Sequence, residues 1–306
     1  MSTGFVTIVP PPRNALREYN PTLPPSKQPS SIPPAFLDAM YVREEVFVQE
    51  QNVPLANELD DDDPRCWHWV AYASVGTSAR ARSNGSNGPS ETETDKDKVE
   101  EQARKASAAK VPVATIRLVP PPHEPHPVPG SKMVFDSRTG NAVWTMPTPE
   151  EAAAQPEAAR SKGESHGPEE PYIKLGRLAT SPPFRGLGLS KLVINAALAW
   201  AANHPHEILP PLSPTSREAA RLAEEKADGV DTRPMDGWHG REEGWRGLVL
   251  VHAQTSVEKV WAKFGFVRDE SLGTWWEEGI EHIGMWRKLT VKEESTVDPL
   301  SPKWKT

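Results

Sequence analysis

The stretch YIKLGRLATSPPFRGLGLSKLVINAALAW, residues 172–200, decides how this chain is read. Tyr172 to Ala179 has the apolar and β-branched content of a strand. Thr180-Ser181-Pro182-Pro183 ends it, because proline has no N–H to give to a ladder. Past the glycines, Leu189, Leu192, Val193, Ala196, Ala197 and Trp200 recur at i, i+3, i+4, i+7, i+8 and i+11, the stripe of an amphipathic helix. Arg185-Gly186-Leu187-Gly188-Leu189-Ser190 therefore joins the end of a strand to the start of a helix. Helix N-termini attract anions, and glycines there let backbone N–H groups close around a phosphate. A dinucleotide fingerprint would need a third glycine and a following acidic residue, and a P-loop would need Gly-Lys-Ser/Thr after four spacers. Neither pattern is present. Two readings remain: an ordinary glycine-containing turn, and a pyrophosphate cradle of the Arg-x-x-Gly-x-Gly/Ala type.

Outward from this stretch, further blocks read as regular structure. Phe5–Val9 is a strand, and Pro33-Pro34 opens a helix whose Phe36, Leu37, Met40, Tyr41, Phe47 and Val48 recur near helical spacing. Residues 67–73 and 113–119 are strand-like. Leu248–Ala253 is an apolar strand. Val257, Val260, Trp261 and Phe264 mark a short helix stopped by Gly265. A hairpin follows, with strands near Gly273–Trp276 and Glu281–Leu289 and a turn at Glu278-Gly279. This order predicts an α/β fold with a mixed central sheet and flanking helices.

Composition limits how much of the chain is core. Proline supplies 33 of 306 residues and apolar residues only 37%. Residues 10–34, 76–110, 120–171 and 204–245, with the tail 291–306, read as low-complexity or disordered inserts around one domain. Subtracting them leaves 4–9, 35–75, 111–119, 172–203 and 246–290, about 160 residues, the size of one compact domain. The 35 basic and 42 acidic residues give a net charge of −7, so no basic stripe favours nucleic acid. No run approaches ~18 apolar residues, and prolines stand where a signal peptide would need an apolar core, so neither a membrane nor secretion is expected. Cys66 is the single cysteine, and the cytoplasm, or else the nucleus, is the expected compartment.

With the strands in this order, the motifs resemble those of GNAT, the general N-acetyltransferase superfamily of acyl-CoA-dependent enzymes. Leu175-Gly176-Arg177-Leu178-Ala179 followed by Pro182 to Gly188 is like the family's fourth strand and pyrophosphate loop. Val260-Trp261-Ala262-Lys263-Phe264-Gly265-Phe266 is like its Phe-Tyr-x-Lys-x-Gly-Phe segment. Arg43 to Gln51, Gln254 and Glu278 to Met285 resemble the ElaA-like branch. The resemblance implies the GNAT fold, with its splayed strand pair, and acetyl-CoA as co-substrate. Pantetheine would lie between the strand ending at Ala179 and the strand Leu248–Ala253. It further implies that Arg185, Gly186, Leu187, Gly188, Leu189 and Ser190 hold the pyrophosphate, and that backbone N–H groups at Leu178, Ala179 and Thr180 polarise the thioester. Trp261 stands in the cofactor site where many relatives carry a tyrosine that protonates the departing thiolate. An indole N–H is no comparable acid, so CoA is expected to leave as the thiolate, whose ordinary pKa is ~8.5; the alternatives are that another group such as Ser256 protonates it or that activity is weak.

Transfer to a primary amine also needs a proton acceptor. Glu50, after the first helix, and His282, at the start of the last strand, are the candidates; His68, between Trp67 and Trp69, has a structural role as the favoured reading. Glu58 and Asp60 to Asp63 place five carboxylates in six residues, read first as a solvated loop and second as an attractor for a cationic acceptor. They lack the spacing of a metal loop, so no metal is expected. Cys66 reads as a small buried hydrophobe. The expectation is an N-acetyltransferase acting on a small-molecule or peptide amine by direct attack in a ternary complex. The alternative is a non-catalytic CoA-binding regulatory or interaction protein. The acceptor and the oligomeric state are not encoded in these patterns.

Overall fold

The computed structural model describes residues 5–76, 108–136, 141–161, 170–209 and 244–292. Most of the segments expected at 76–110 and 204–245, and nearly all of the tail from 291, lie outside these residues. The chain divides into two compact units, residues 1–116 with 177–194, and residues 117–176 with 195–306.

The first unit begins with β1 (Val6–Val9), which pairs antiparallel with β2 (Trp67–Gly76) in the register Val6–Ala71 to Val9–His68. β3 (Ala108–Val119) follows β2 in the sheet order, and the end of β6 (Tyr172–Thr180) follows β3. Helix α1 (Pro34–Arg43) starts at proline, whose fixed φ suits the first helical position, and buries Phe36, Ala39, Met40 and Val42. Residues Glu44–Glu50 then widen into a π-helix, closed where Gln51 N–H donates to Val46 O at 3.1 Å, five residues back. Such wide turns are rare and cluster at functional sites.

Residues 10–34 correct the sequence expectation. They fold as 3-10 turns at Arg13–Glu18 and Pro25–Lys27, and Leu16, Tyr19 and Ile32 join Val9, Phe36 and Met40 in one buried cluster. Tyr19 meets Phe36 edge-on at 6.2 Å. Proline content misled because 3-10 turns tolerate proline at their first positions, and only a few well-spaced apolar side chains are needed to dock such a strap.

The second unit is a mixed sheet. The first half of β6 runs parallel to β7 (Leu248–Gln254), in register from Tyr172–Leu248 to Leu175–Val251. β7 pairs antiparallel with β10 (Ile280–Lys288), and β10 with β9 (Thr274–Glu277) and with the two-residue β8 (Val267–Arg268). The β9–β10 turn lies where the sequence placed it, with Glu278 at φ 50° and Gly279 at φ 77°.

Residues 120–171 also hold structure that the sequence reading had subtracted. β4 (Lys132–Asp136) runs parallel to β9 and antiparallel to β5 (Asn141–Thr145). Helix α2 (Pro149–Ala153) begins with a capping box in which Glu151 N–H donates to Thr148 Oγ and Thr148 N–H donates to Glu151 Oε2. Helix α3 (Glu157–Ser161) follows, and Thr274 N–H donates to Gln155 Oε1 at 2.8 Å, tying the two helices to β9.

Helix α4 (Leu189–Asn203) forms as predicted, but its buried side is Val193, Ile194, Ala197, Leu198 and Ala201, while Leu192 is exposed. Apolar residues occupy most of its circumference, so periodicity fixed the helix and left its rotation open. The remaining helices are the single turn α5 (Pro205–Ile208) and α6 (Glu258–Ala262), ended by Gly265 at φ 77°. Trp261 of α6 is buried, edge-on against Phe266 at 5.2 Å.

Candidate functional site

In the first unit, the strand-to-helix loop carries the strongest chemical signal. Arg177 has φ 50° in mid-strand, the left-handed region that a non-glycine residue enters only under local compulsion. Its guanidinium supplies that compulsion: Nη2 donates to Asp60 Oδ2 at 3.1 Å and Nε lies 3.4 Å from Glu58 Oε1. A left-handed residue turns the strand as a bulge does, re-aiming the backbone that follows, here Leu178, Ala179 and Thr180. Ala179 is buried with Val42 and Val46, so the π-helix and the strand end pack together. Ser181 N–H donates to Val113 O at 2.9 Å and fixes the exit.

Gly186 and Gly188 have φ 78° and 77°, and a Cβ built on either would meet no atom within 4 Å. What these positions require is positive φ, and the space in front of them is open. Leu187 between them is 69% exposed. Leu189 opens α4, a 15-residue helix whose first amides have no carbonyl partner within the helix. The loop thus has the open glycines, helix N-terminus and adjacent guanidinium that an anionic diphosphate requires.

Arg185 and Glu50 meet. Arg185 Nη1 donates to Glu50 Oε1 at 2.7 Å, Nη2 donates to Oε2, and Nε donates to Thr180 O at 3.0 Å. The guanidinium holds the Glu50 carboxyl below its usual range. A carboxylate held ionised by a cation is a weak proton acceptor, so the geometry favours Glu50 as the partner that positions Arg185.

The acidic run is structural at its core. Arg43, fully buried, donates from Nη1 to Asp63 Oδ1 at 2.8 Å, from Nη2 to Asp63 Oδ2 at 3.1 Å and from Nε to Glu58 Oε1. The sequence reading had favoured a solvated loop. A buried arginine needs paired carboxylates to be tolerated at all, and that need outweighs hydration of the run. His68 is buried too, edge-on to Phe36 at 5.0 Å, and Cys66 is buried.

In the second unit, paired residues of β7, β10 and β9 set His252, His282, Trp275 and Glu277 on one face, through the registers His282–Gln254, Gly284–His252, His282–Trp275 and Ile280–Glu277. His282 Nδ1 lies 2.9 Å from Ile280 O, and its ring stacks on Trp275 at 6.2 Å. His126, from the segment between β3 and β4, approaches Trp275 at 4.5 Å and His252 at 5.0 Å. Sequence reasoning missed His126 because it sits in a proline-rich stretch set aside as an insert. It missed His252 because a single polar residue in an apolar strand carries no motif, although a histidine amid Val249, Leu250, Val251 and Ala253 is itself a signal. Among the described residues, no three His, Cys, Asp or Glu side chains are placed to hold a metal ion, and no helix is long and apolar enough to cross a membrane.

No family model matches the chain. The uncharacterized N-acetyltransferase YjcF of Bacillus subtilis (strain 168) is 57% identical over 35 residues, which are 11% of this chain and 25% of that protein. The chain thus aligns with about a quarter of the curated relative it matches. Among solved structures, an acyl-CoA N-acyltransferase from Pseudomonas aeruginosa aligns over 82% of this chain and 89% of its own, at 17% identity and TM-score 0.34. A putative N-acetyltransferase from Lactobacillus plantarum aligns over 93% and 99%, at 14% identity and TM-score 0.37. Escherichia coli ElaA aligns over 87% and 96%, at 14% identity and TM-score 0.34.

Proposed function

We propose that this chain is an N-acetyltransferase of the GNAT type, moving an acetyl group from acetyl-CoA to a primary amine by direct attack. The observation that carries this reading is the run from Arg177 to Ser190. There a left-handed residue re-aims a strand end, and two open, positive-φ glycines lead into a helix N-terminus beside Arg185. The short match to a bacterial N-acetyltransferase supports it.

In this reading the amides from Gly186 to Ser190 and the Arg185 guanidinium hold the pyrophosphate, with Glu50 orienting the guanidinium. The N–H groups of Leu178 to Thr180 orient pantetheine and donate to the thioester oxygen as it gains charge. Acetyl-CoA supplies an activated acyl group whose thiolate leaves readily. Trp261, packed in the interior, donates no proton to it, and CoA departs as the thiolate. His282 remains a candidate to accept the proton released from the amine.

The test is calorimetric titration with acetyl-CoA, with ATP and NAD as controls, on the native chain and Gly188→Trp. Saturable binding of acetyl-CoA that the variant loses supports the cradle, and turnover with any amine then separates an enzyme from a CoA-binding regulatory protein. No heat, together with no thermal stabilisation where ~100-fold excess over Kd should add about 2.7 kcal/mol, overturns the reading.

A further inference from the structure

The acidic run at Glu58 to Asp63 does more than neutralise the buried Arg43, because its carboxylates also reach the strand that leads into the glycine loop. Glu58, Asp60, Asp62 and Asp63 all meet arginines of this chain. Asp62 Oδ1 accepts from Arg65 Nη2 at 2.6 Å, Glu58 and Asp63 hold Arg43, and Asp60 and Glu58 hold Arg177. Asp60 is itself fixed from its other side. Its N–H donates to Asp63 Oδ2 at 3.0 Å, and its Oδ1 accepts the N–H groups of Asp62 at 3.0 Å and Asp63 at 3.2 Å, while Oδ2 accepts from Arg177 Nη2 at 3.1 Å. Glu58 and Asp63 are buried with Arg43. Two routes therefore run from Arg43 to Arg177, one through Asp63 and Asp60 and one through Glu58, and every residue on them lies in the first unit.

The backbone of Arg177 gives these routes a purpose. Its φ of 50° is costly for any residue with a Cβ, and a turn that needed positive φ alone would be met by glycine. The chain has a glycine one position earlier, Gly176, and that glycine is not in the left-handed region. Arginine at the strained position, its guanidinium held by one buried and one part-exposed carboxylate, fixes a single backbone conformation where glycine would allow several. That conformation matters just downstream. Leu178, Ala179 and Thr180 follow directly, Ala179 is buried with Val42 and Val46, and the next N–H, of Ser181, is tied to Val113 O at 2.9 Å. Donors that are to meet a developing oxyanion must be held in place beforehand, and this segment is held at both ends.

We propose that Asp60, with Glu58 beside it, is a positioning residue for the acyl transfer: by holding the Arg177 guanidinium it keeps the strand in its left-handed turn and aims the N–H groups of Leu178 to Thr180 at the thioester oxygen. The inference rests on the acyltransferase reading above. Asp60 acts through Arg177 and is assigned no contact with the cofactor. Arg43, buried with Glu58 and Asp63, makes the acidic loop a fixed base for that grip. The carboxylates that the sequence offered to a cationic acceptor are thus engaged within the chain.

The experiment binds acetyl-CoA carrying 13C at the thioester carbonyl to the full chain and reads the C=O stretch by isotope-edited infrared difference spectroscopy, with Kd from calorimetry. In the native chain the bound carbonyl should absorb at a lower frequency than in free acetyl-CoA, because fixed N–H donors polarise it. Asp60→Asn keeps an Oδ1 for the N–H groups of Asp62 and Asp63 but turns an NH2 group toward Arg177. It should lose most of the displacement while Kd stays within about 5-fold of native, the worth of a part-exposed ion pair, since Arg185 to Ser190 are untouched. Arg177→Ala should lose the displacement too. Arg177→Gly, which reaches positive φ without help, should keep more of it, and adding Asp60→Asn to Arg177→Gly should change nothing further, because Asp60 then has no guanidinium to hold. The two Arg177 variants leave the acidic loop unaltered and carry the test if Asp60→Asn does not fold. If Asp60→Asn binds acetyl-CoA with the native carbonyl frequency, if Arg177→Gly falls as far as Arg177→Ala, or if the native chain leaves the carbonyl band undisplaced, the inference falls and the cofactor reading stands. If acetyl-CoA does not bind, both fall.

Discussion

At the scale of single residues, Glu50 and Arg185 show how a contact bears on a role. From sequence, Glu50 is a carboxylate after a helix and a reasonable base; in the structure both of its oxygens accept from a guanidinium. Both side chains are substantially exposed, 41% and 45%, so the pair falls among surface ion pairs of ~0.2–1 kcal/mol. Glu50→Gln should therefore change the Kd for acetyl-CoA by no more than about 5-fold, and the change should shrink as salt rises. Isothermal titration at two ionic strengths measures this. A fall in kcat of two decades at unchanged KM would return the proton-acceptor role to Glu50.

Arg43 is the opposite case. Its guanidinium is buried with both carboxylate partners, so removing one partner leaves an uncompensated charge. Glu58→Gln and Asp63→Asn should each cost about 3–5 kcal/mol, read as a lower denaturant midpoint. Arg43→Met should cost a comparable amount, since it strands two carboxylates. A loss below 1 kcal/mol in all three would mean the network is open to water.

At the scale of elements, the glycine loop permits a prediction that separates backbone from space. Because no atom lies within 4 Å of a Cβ at Gly186 or Gly188, alanine there meets strain from positive φ alone, about 1–2 kcal/mol. Gly188→Ala should lower the melting temperature modestly while weakening acetyl-CoA binding by a larger factor, because a Cβ would project into the ligand's space. Equal losses in both measurements would assign the glycine to folding only.

The elements legible in the sequence are those whose evidence is local. The stripe of α4, the strand of β7, the Gly265 stop and the Glu278-Gly279 turn each follow from periodicity or a single residue's φ preference, and each forms where expected. The 3-10 strap at 10–34 and the β4–β5 hairpin were hidden because their stability comes from docking onto distant residues, Phe36 in one case and β9 in the other. Tertiary contact can rescue a segment whose own composition argues for disorder. The site divided in the same way: the Arg185 to Ser190 loop announces itself, whereas the histidine face exists only through strand register and the path of a proline-rich segment.

At the scale of the whole molecule, the two units carry opposed pH dependences. In the first, burial and the charge of Glu58 raise Glu44 to about 7, and its Oε1 is buried without a hydrogen-bond partner. A carboxyl whose folded pKa lies above its unfolded value of 4.5 favours folding fully below 4.5, and that contribution is lost as pH rises through 7. In the second unit, His126 falls from 6.5 to about 4, so its contribution is present above 6.5 and is lost as pH falls toward 4. His252 acts in the same direction. The two windows overlap, 4.5 to about 7 for Glu44 and about 4 to 6.5 for His126, so in stability followed by differential scanning calorimetry from pH 4 to 9 the two contributions oppose one another wherever the windows overlap. Glu44→Gln should make stability climb more steeply between pH 4.5 and 7, and His126→Phe should make it climb less steeply between 4 and 6.5. If Glu44→Gln left the slope between pH 4.5 and 7 unchanged, the Glu44 carboxyl would be hydrated in solution and the π-helical turn would tolerate its charge. If His126→Phe left the slope between pH 4 and 6.5 unchanged, the His126 ring would be hydrated in solution and His252, held neutral by burial and by Lys174, would account for the acid loss by itself.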